Sequence, residues 1–375
     1  MRHRPAGTLV DTTHTHPRLR NCVLVFRRED LLQFVSLSDL RVKEFRATDA
    51  VIELMPLLDG TRSVAELRAA FAASTQDDVK IVDECLELLR SERLLGRGEK
   101  WTGDPRYARQ GLLFEEFIAT FEHLPASARQ LQDRLGDARV VVVGIGGVGS
   151  WALHCLALAG VGQLDIVDPD VVDVSNLNRQ ALYSTADVGV AKVTAAAARI
   201  AEVNDGPVVT GHRRSVRSAS DLTDILESAD LVISCGDDPD PFTLSDVVAD
   251  SAHAAGTPHI VGGAYGGNIG SPGVTVIPGE STCWRCIRDA TRDDHARASM
   301  STVKGRTGAG GSMAPVAGMV GSMTAWEALR ILLDLPLALA NHVRELDIMS
   351  LEWRIRPVEG RRDCVLCRPS AASSG

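Results

Sequence analysis

The run Arg139-Val-Val-Val-Val143-Gly144-Ile-Gly-Gly-Val-Gly149-Ser constrains this chain more than any other segment. Four consecutive valines make a fully apolar strand, the kind that lies inside a parallel sheet covered by helices on both faces. The glycines at 144, 146 and 149 fit G-x-G-x-x-G, and an apolar helix follows them. Glycine there lets backbone amides approach a phosphate, and the helix N-terminus favours the anion. Gln163–Val167 reads as a second strand ending at Asp168, 24 residues beyond Gly144, where a carboxylate is placed to bind a ribose hydroxyl. Leu231–Cys235 is a third strand, with His259–Val261 and Val274–Ile277 as later ones. Strands alternating with helices predict an α/β fold with a Rossmann-like, doubly wound, mostly parallel sheet. Taken alone, this pattern fits NAD, FAD or ATP.

The residues that follow favour a triphosphate. Asp168-Pro-Asp170-Val-Val-Asp-Val-Ser175-Asn176-Leu-Asn178-Arg179-Gln180 places polar groups and a fixed cation directly after the ribose carboxylate, and Lys192 follows in Gly189-Val-Ala-Lys192. A hydride carrier needs little charge near its reactive ring, whereas cleaving a triphosphate needs cations around it and a carboxylate for magnesium. Asp237 and Asp238, just past the strand Leu231–Cys235, are placed to supply that carboxylate. Upstream, Arg106-Tyr107-Ala108-Arg109-Gln110 adds two arginines.

Cysteine spacing supplies a second, independent signal. Cys22, Cys85, Cys155 and Cys235 lie singly among apolar residues and read as packing. Cys283-Trp-Arg-Cys286 and Cys364-Val-Leu-Cys367 form two C-x-x-C pairs, the spacing of a structural zinc site. A closed four-sulfur site leaves no position for water, so such a zinc staples the C-terminal region and does no chemistry.

Composition bounds the rest. A length of 375 residues predicts two or three domains, and 40 Lys plus Arg against 49 Asp plus Glu give a net charge of −9. That balance argues against a nucleic-acid partner. The N-terminal basic residues are followed by no apolar run, and Trp151–Val161 is too short to span a bilayer. A cytoplasmic protein with no membrane partner is expected.

Residues 1–20 are polar and are expected to form a flexible arm. Residues 21–98 read as a small winged-helix-like domain. Cys22–Phe26 and Leu32–Leu37 form a hairpin around the charged RRED; Thr48 or Asp49 caps a helix to Leu58; Ser63-Val-Ala-Glu66 is a capping box; and Asp77–Glu92 has helical apolar spacing. A linker at 99–104, an α/β body at 105–368 and a tail at 369–375 complete the chain. Residues 287–312 read as a long polar, Gly-rich loop. His154 and Trp326 are expected to be packing residues, and His295 a solvated loop residue.

Arg109-Gln110, the glycine loop, Ser175–Gln180, Lys192 and Asp237 stand in the order of the ThiF-like adenylyltransferases, the bacterial relatives of ubiquitin-activating enzymes, which the body resembles. The resemblance implies attack by a carboxylate, typically a peptide C-terminus, on the α-phosphate of ATP. It implies that Gly144, Gly146, Gly147, Gly149, Asp168, Asp170 and Gln180 surround the nucleotide, that Ser175, Asn176, Arg179 and Lys192 hold its phosphates, and that Asp237 holds Mg2+. Arg109 is then an arginine finger reaching across a homodimer, and Cys283, Cys286, Cys364 and Cys367 bind structural Zn2+. Residues 287–363 contain no cysteine, so thioester transfer through a loop cysteine is not expected. Asp238 stands where the family commonly has Asn. The N-terminal region resembles PqqD-like domains, which bind leader peptides of ribosomally made, modified peptides as an added strand. That implies a precursor-peptide partner and a downstream modifying enzyme, with Leu32–Leu37 and Asp77–Glu92 as groove walls. The acidic helix (Asp77, Asp78, Asp83, Glu84, Glu87) argues against DNA. The expected function is adenylation of a precursor-peptide carboxylate; activation of a ubiquitin-like sulfur carrier and a non-catalytic leader-delivery scaffold are the alternatives.

Overall fold

Thr48 and Ser63 cap helices in the computed structural model, as their sequence patterns require. The structure describes residues 16–96, 101–121, 123–125, 127–296 and 311–367. It divides into two units, Met1–Gln132 and Asp133–Gly375.

The first unit begins with β1 (Arg18–Leu19), β2 (Val23–Arg28), β3 (Leu31–Ser36) and β4 (Val42–Arg46). After them come α1 (Asp49–Leu54), α2 (Val64–Ser74), α3 (Lys80–Ser91), β5 (Leu95–Gly96) and α4 (Ala108–Thr120). The expected hairpin is a three-stranded antiparallel meander in the order β2-β3-β4, with Leu32 and Phe34 facing a core of Leu54, Leu67, Phe71 and Val82. β4 was missed because Val-Lys-Glu-Phe-Arg carries three charges in five residues. Its presence puts β3 in the centre of the sheet, paired with β2 on one side and β4 on the other.

Residues 18–20 are held in the fold rather than in an arm. Residues 1–15 lie outside the described residues, but β1 pairs with β5 and Arg20 is 4% exposed. The Arg20 guanidinium donates to Glu116 Oε2 on α4 (2.6 and 3.0 Å) and to the Arg93 carbonyl (3.0 Å). A buried arginine is tolerated only with such pairing, and within the first unit this pair fastens α4 to the segment that follows β1. Of the expected linker, residues 101–104 fold against α4, the Trp101 indole donating to the Asp104 carbonyl. The tail at 369–375 lies outside the described residues.

The division between units falls within α5 (Ala128–Asp137). Then come β6 (Arg139–Val143), α6 (Gly147–Ala159), β7 (Gln163–Val167), α7 (Lys192–Val203), β8 (Val208–His212), α8 (Thr223–Leu226), β9 (Leu231–Ser234), α9 (Pro241–Ala255) and β10 (His259–Val261). The short strands β11 (Ala264–Gly266), β12 (Ile269–Ser271) and β13 (Val274–Val276) precede α10 (Trp284–Ala296), α11 (Ala314–Leu332), β14 (His342–Asp347) and β15 (Trp353–Pro357). The main sheet has the order β13-β10-β9-β6-β7-β8, parallel except for β13. Along β6, Val140 and Val142 join the layer containing α6, α7 and α11, while Val141 and Val143 join the layer containing α8, α9 and Trp284. Both faces are covered, which is why that strand is apolar throughout. A second, antiparallel sheet, β11-β12-β14-β15, had no counterpart among the expected strands.

Two further expectations fail. The segment 287–312 opens as helix α10 rather than loop, and His295 lies on that helix; residues 297–310 lie outside the described residues. Trp326 is 40% exposed on α11, a helix apolar nearly all round, so its sequence could not show which face turns inward.

Candidate nucleotide site and cysteine cluster

The chain order of the strands reverses direction between β6 and β9, and ligands of open α/β sheets bind outside the strand ends at such a point. Register aligns Val143 with Val167 and with Ser234, so Gly144, Asp168 and the segment 235–237 leave the sheet at one level. Gly144 has φ +84° and lies against the backbone of Gly236; Gly149 lies against the Gly144 carbonyl. A side chain at either position would collide with main chain, which is the physical requirement behind the spacing. Gly146 precedes α6 with no side-chain cap, so the amides at the start of α6 are open to an anion.

Asp168 is 4% exposed. Its Oδ2 accepts from the Ile145 amide (2.9 Å) and its Oδ1 from the Asp170 amide (2.9 Å), so it braces the glycine loop. Burial pushes its carboxyl above the ordinary range, and Lys192 and these amides oppose that. Lys192, the first residue of α7, is 6% exposed, and Nζ lies 2.8 Å from Asp170 Oδ2 and 3.8 Å from Asp168 Oδ1. Ser175 and Asn176 lie in a short 3-10 turn capped by Asp173; Asn176 Oδ1 accepts from the Asp173 amide, while Ser175 is exposed. Arg179 folds back so that one guanidinium nitrogen donates to the Ser175 carbonyl (2.7 Å) and Asn178 Oδ1 (2.9 Å). The Trp151 indole donates to the Arg179 carbonyl (2.9 Å), tying this loop to α6. Gln180 is buried with its amide facing Gly146, and its side-chain oxygen has no hydrogen-bond partner among the described residues.

Asp237 and Asp238 are both exposed, but they differ. Arg217 donates to Asp238 Oδ2 at 2.6 Å, whereas Asp237 has no ion pair among the described residues. Arg109 is exposed on α4, in the first unit. Among the single cysteines, burial pushes the Cys235 thiol up to about 12 and Cys85 up to about 11, consistent with packing roles.

The Sγ atoms of Cys283, Cys286, Cys364 and Cys367 lie within 4.8 Å of one another, with Cys283–Cys364 at 3.6 Å and Cys286–Cys367 at 3.7 Å. A tetrahedron of 2.3 Å metal–sulfur bonds has edges of about 3.8 Å, so the four sulfurs can hold one metal ion. Amides of Cys283 and Arg361 donate to Cys367 and Cys286 Sγ (3.2 and 3.4 Å), as thiolates require.

These features define a nucleotide-binding α/β protein with a separate four-cysteine cluster that could hold a metal ion. The ThiF family model matches residues 118–367, and the chain belongs to that family. Its relatives include the sulfur carrier protein adenylyltransferase of Thermus thermophilus, 33% identical over 72% of this chain and 93% of that protein. Another is the molybdopterin-synthase adenylyltransferase of Salmonella typhimurium, 32% identical over 63% of this chain and 89% of that protein. Among solved structures, E. coli MccB with AMPCPP and MccA superposes with a TM-score of 0.74 at 21% identity, covering 94% of this chain and 100% of that one; it shares the fold. The protein is an ATP-dependent adenylyltransferase. Among the described residues, no helix is long and apolar enough to cross a membrane.

Proposed function

We propose that the enzyme adenylates a carboxylate of a ribosomally made precursor peptide, with its N-terminal unit holding the leader as a PqqD-like domain would. The observation that carries this is the groove of about 190 Å3 in the first unit, lined by Phe34, Phe45, Met55, Ile81 and Leu88. It runs beside β4, whose outer edge has no strand partner among the described residues. An extended peptide added to β4 gains main-chain hydrogen bonds there and side-chain pockets in the groove. Coverage supports the same conclusion. The sulfur-carrier relative is matched over 93% of its own length and leaves more than a quarter of this chain unmatched, whereas the MccB fold covers 94% of it, and MccB has been crystallised with MccA.

In this scheme a carboxylate oxygen attacks the α-phosphorus, the bond to the bridging oxygen of the β-phosphate breaks, and pyrophosphate leaves. A carboxylate is already ionised near neutral pH, so no general base is needed; positioning and charge neutralisation do the work. Asp168 orients the ribose with its remaining lone pairs, Lys192, Arg179, Ser175 and Asn176 receive the phosphates, and Arg109 supplies a further cation. Asp237, rather than the already paired Asp238, would hold Mg2+, which would supply charge neutralisation for the pyrophosphate. Zn2+ suits the four thiolates, which form a closed site without an open position.

ATP–pyrophosphate exchange with full-length and leaderless precursor peptides tests the proposal: exchange should require the leader. The second reading, activation of a ubiquitin-like sulfur carrier, is favoured by the names of the sequence relatives. Exchange with only a Gly-Gly-ending carrier would establish it and remove the first.

A further inference from the structure

Tyr265 belongs to none of the motifs discussed above. It lies on β11, in the antiparallel sheet, yet its hydroxyl rests on Gly147, the first residue of α6; any side-chain carbon at 147 would strike that oxygen. The ring is half-buried, and the hydroxyl makes no hydrogen bond to another described residue. Two more groups border the same spot. The first is the uncapped start of α6 at Gly146. The second is Gln180, 5% exposed, whose amide nitrogen lies 3.7 Å from where a Cβ on Gly146 would be and whose oxygen has no hydrogen-bond partner among the described residues. Polar groups this well buried are normally paired. Here a hydroxyl, an amide and helix-terminal N–H groups from three separate segments converge without hydrogen-bond partners among the described residues, which is the condition of a cradle completed by its ligand.

Tyr265 is also held firmly. Its strand pairs with β12, which pairs with β14, so the phenol is presented by a sheet rather than by a loose loop. A phenol donates well to a charged oxygen, and such a bond is stronger than a neutral one. We propose that Tyr265 donates a hydrogen bond to the α-phosphate of ATP seated on the first turn of α6, fixing the phosphorus at which the carboxylate attacks. This rests on the adenylyltransferase activity but not on which carboxylate is activated.

The test is Tyr265→Phe in the full-length chain, which keeps the packed ring and removes only the hydroxyl. Binding of AMP and of adenosine is measured by calorimetry without any acceptor. AMP affinity should fall about tenfold, the size of a lost bond to a charged group, while adenosine affinity and melting temperature stay unchanged. An equal loss for both ligands, or no loss for either, overturns the assignment. Wild-type protein binding AMP no more tightly than adenosine would also overturn it. Because no peptide or carrier is present, these results do not depend on the outcome of the exchange assay.

Discussion

Lys192 Nζ sits 2.8 Å from Asp170 Oδ2 and 3.8 Å from Asp168 Oδ1, so one buried ammonium serves two carboxylates at the mouth of the glycine loop. Asp170 is largely exposed while Asp168 is buried, so the two pairs differ. An ammonium has three donors, and Asp170 uses one at hydrogen-bond distance. The others remain for phosphate oxygens, at a point where the sheet delivers Asp168 and Gly144 side by side.

Lys192→Ala should therefore lower pyrophosphate exchange at least about 100-fold, the effect of removing a preorganised charge donor. Leader affinity should be unchanged, because the groove belongs to the other unit. Loss of both activities together, with a lower melting temperature, would mean that Lys192 serves folding instead.

Arg109 supports a complementation experiment. If it acts across a homodimer, mixing inactive Arg109→Ala and Lys192→Ala proteins should restore about one quarter of wild-type activity, since half the dimers are mixed and each carries one intact site. No recovery after subunit exchange would place Arg109 in its own protomer's site.

The four thiolates predict one zinc per chain, measured by atomic absorption. Cys364→Ser should lose the metal and lower the melting temperature of the second unit, and a strong chelator should do the same to the wild type. Metal content below about 0.2 per chain in protein purified without chelator would defeat the assignment.

In the groove, Leu88 is 41% exposed, so its replacement leaves the core of the first unit intact. Leu88→Glu places a charge among Phe34, Phe45 and Ile81 and should weaken leader binding at least about tenfold. Exchange at saturating full-length precursor should still reach the wild-type rate, with a raised apparent KM, as read by titration calorimetry and exchange side by side.

His259, on β10, is buried, and desolvation pulls its pKa from 6.5 down to about 4, despite the Thr257 carbonyl hydrogen-bonded to its Nδ1. The unfolded chain takes up this proton first. Stability from this group is thus complete above about pH 6.5 and falls as the pH drops toward 4, by about 3 kcal/mol in all. Urea midpoints between pH 7 and 4.5 should show the fall, and His259→Asn should flatten it.

What the sequence determined by itself is what short-range chemistry dictates. Val140–Val143 must be buried on both faces, the glycines must admit close backbone approach, Thr48 or Asp49 must cap one helix and Ser63 another, and two C-x-x-C pairs must meet if a metal is to join them. Each is a relation among residues a few positions apart, or among residue types with one chemical use. Tertiary structure decided the rest. Arg20 looks like part of a polar arm until Glu116, 96 residues away, gives its charge a buried partner. Val42–Arg46 looks like loop until β3 supplies its hydrogen bonds. Trp326 lies on a helix whose sequence has no polar face, so only the packing of its neighbours chose which side is exposed. Tyr265 meets Gly147 because one sheet ends over the first helix of another. Burial and partnership depend on distant segments, and a pattern read along one segment carries no record of what will cover it.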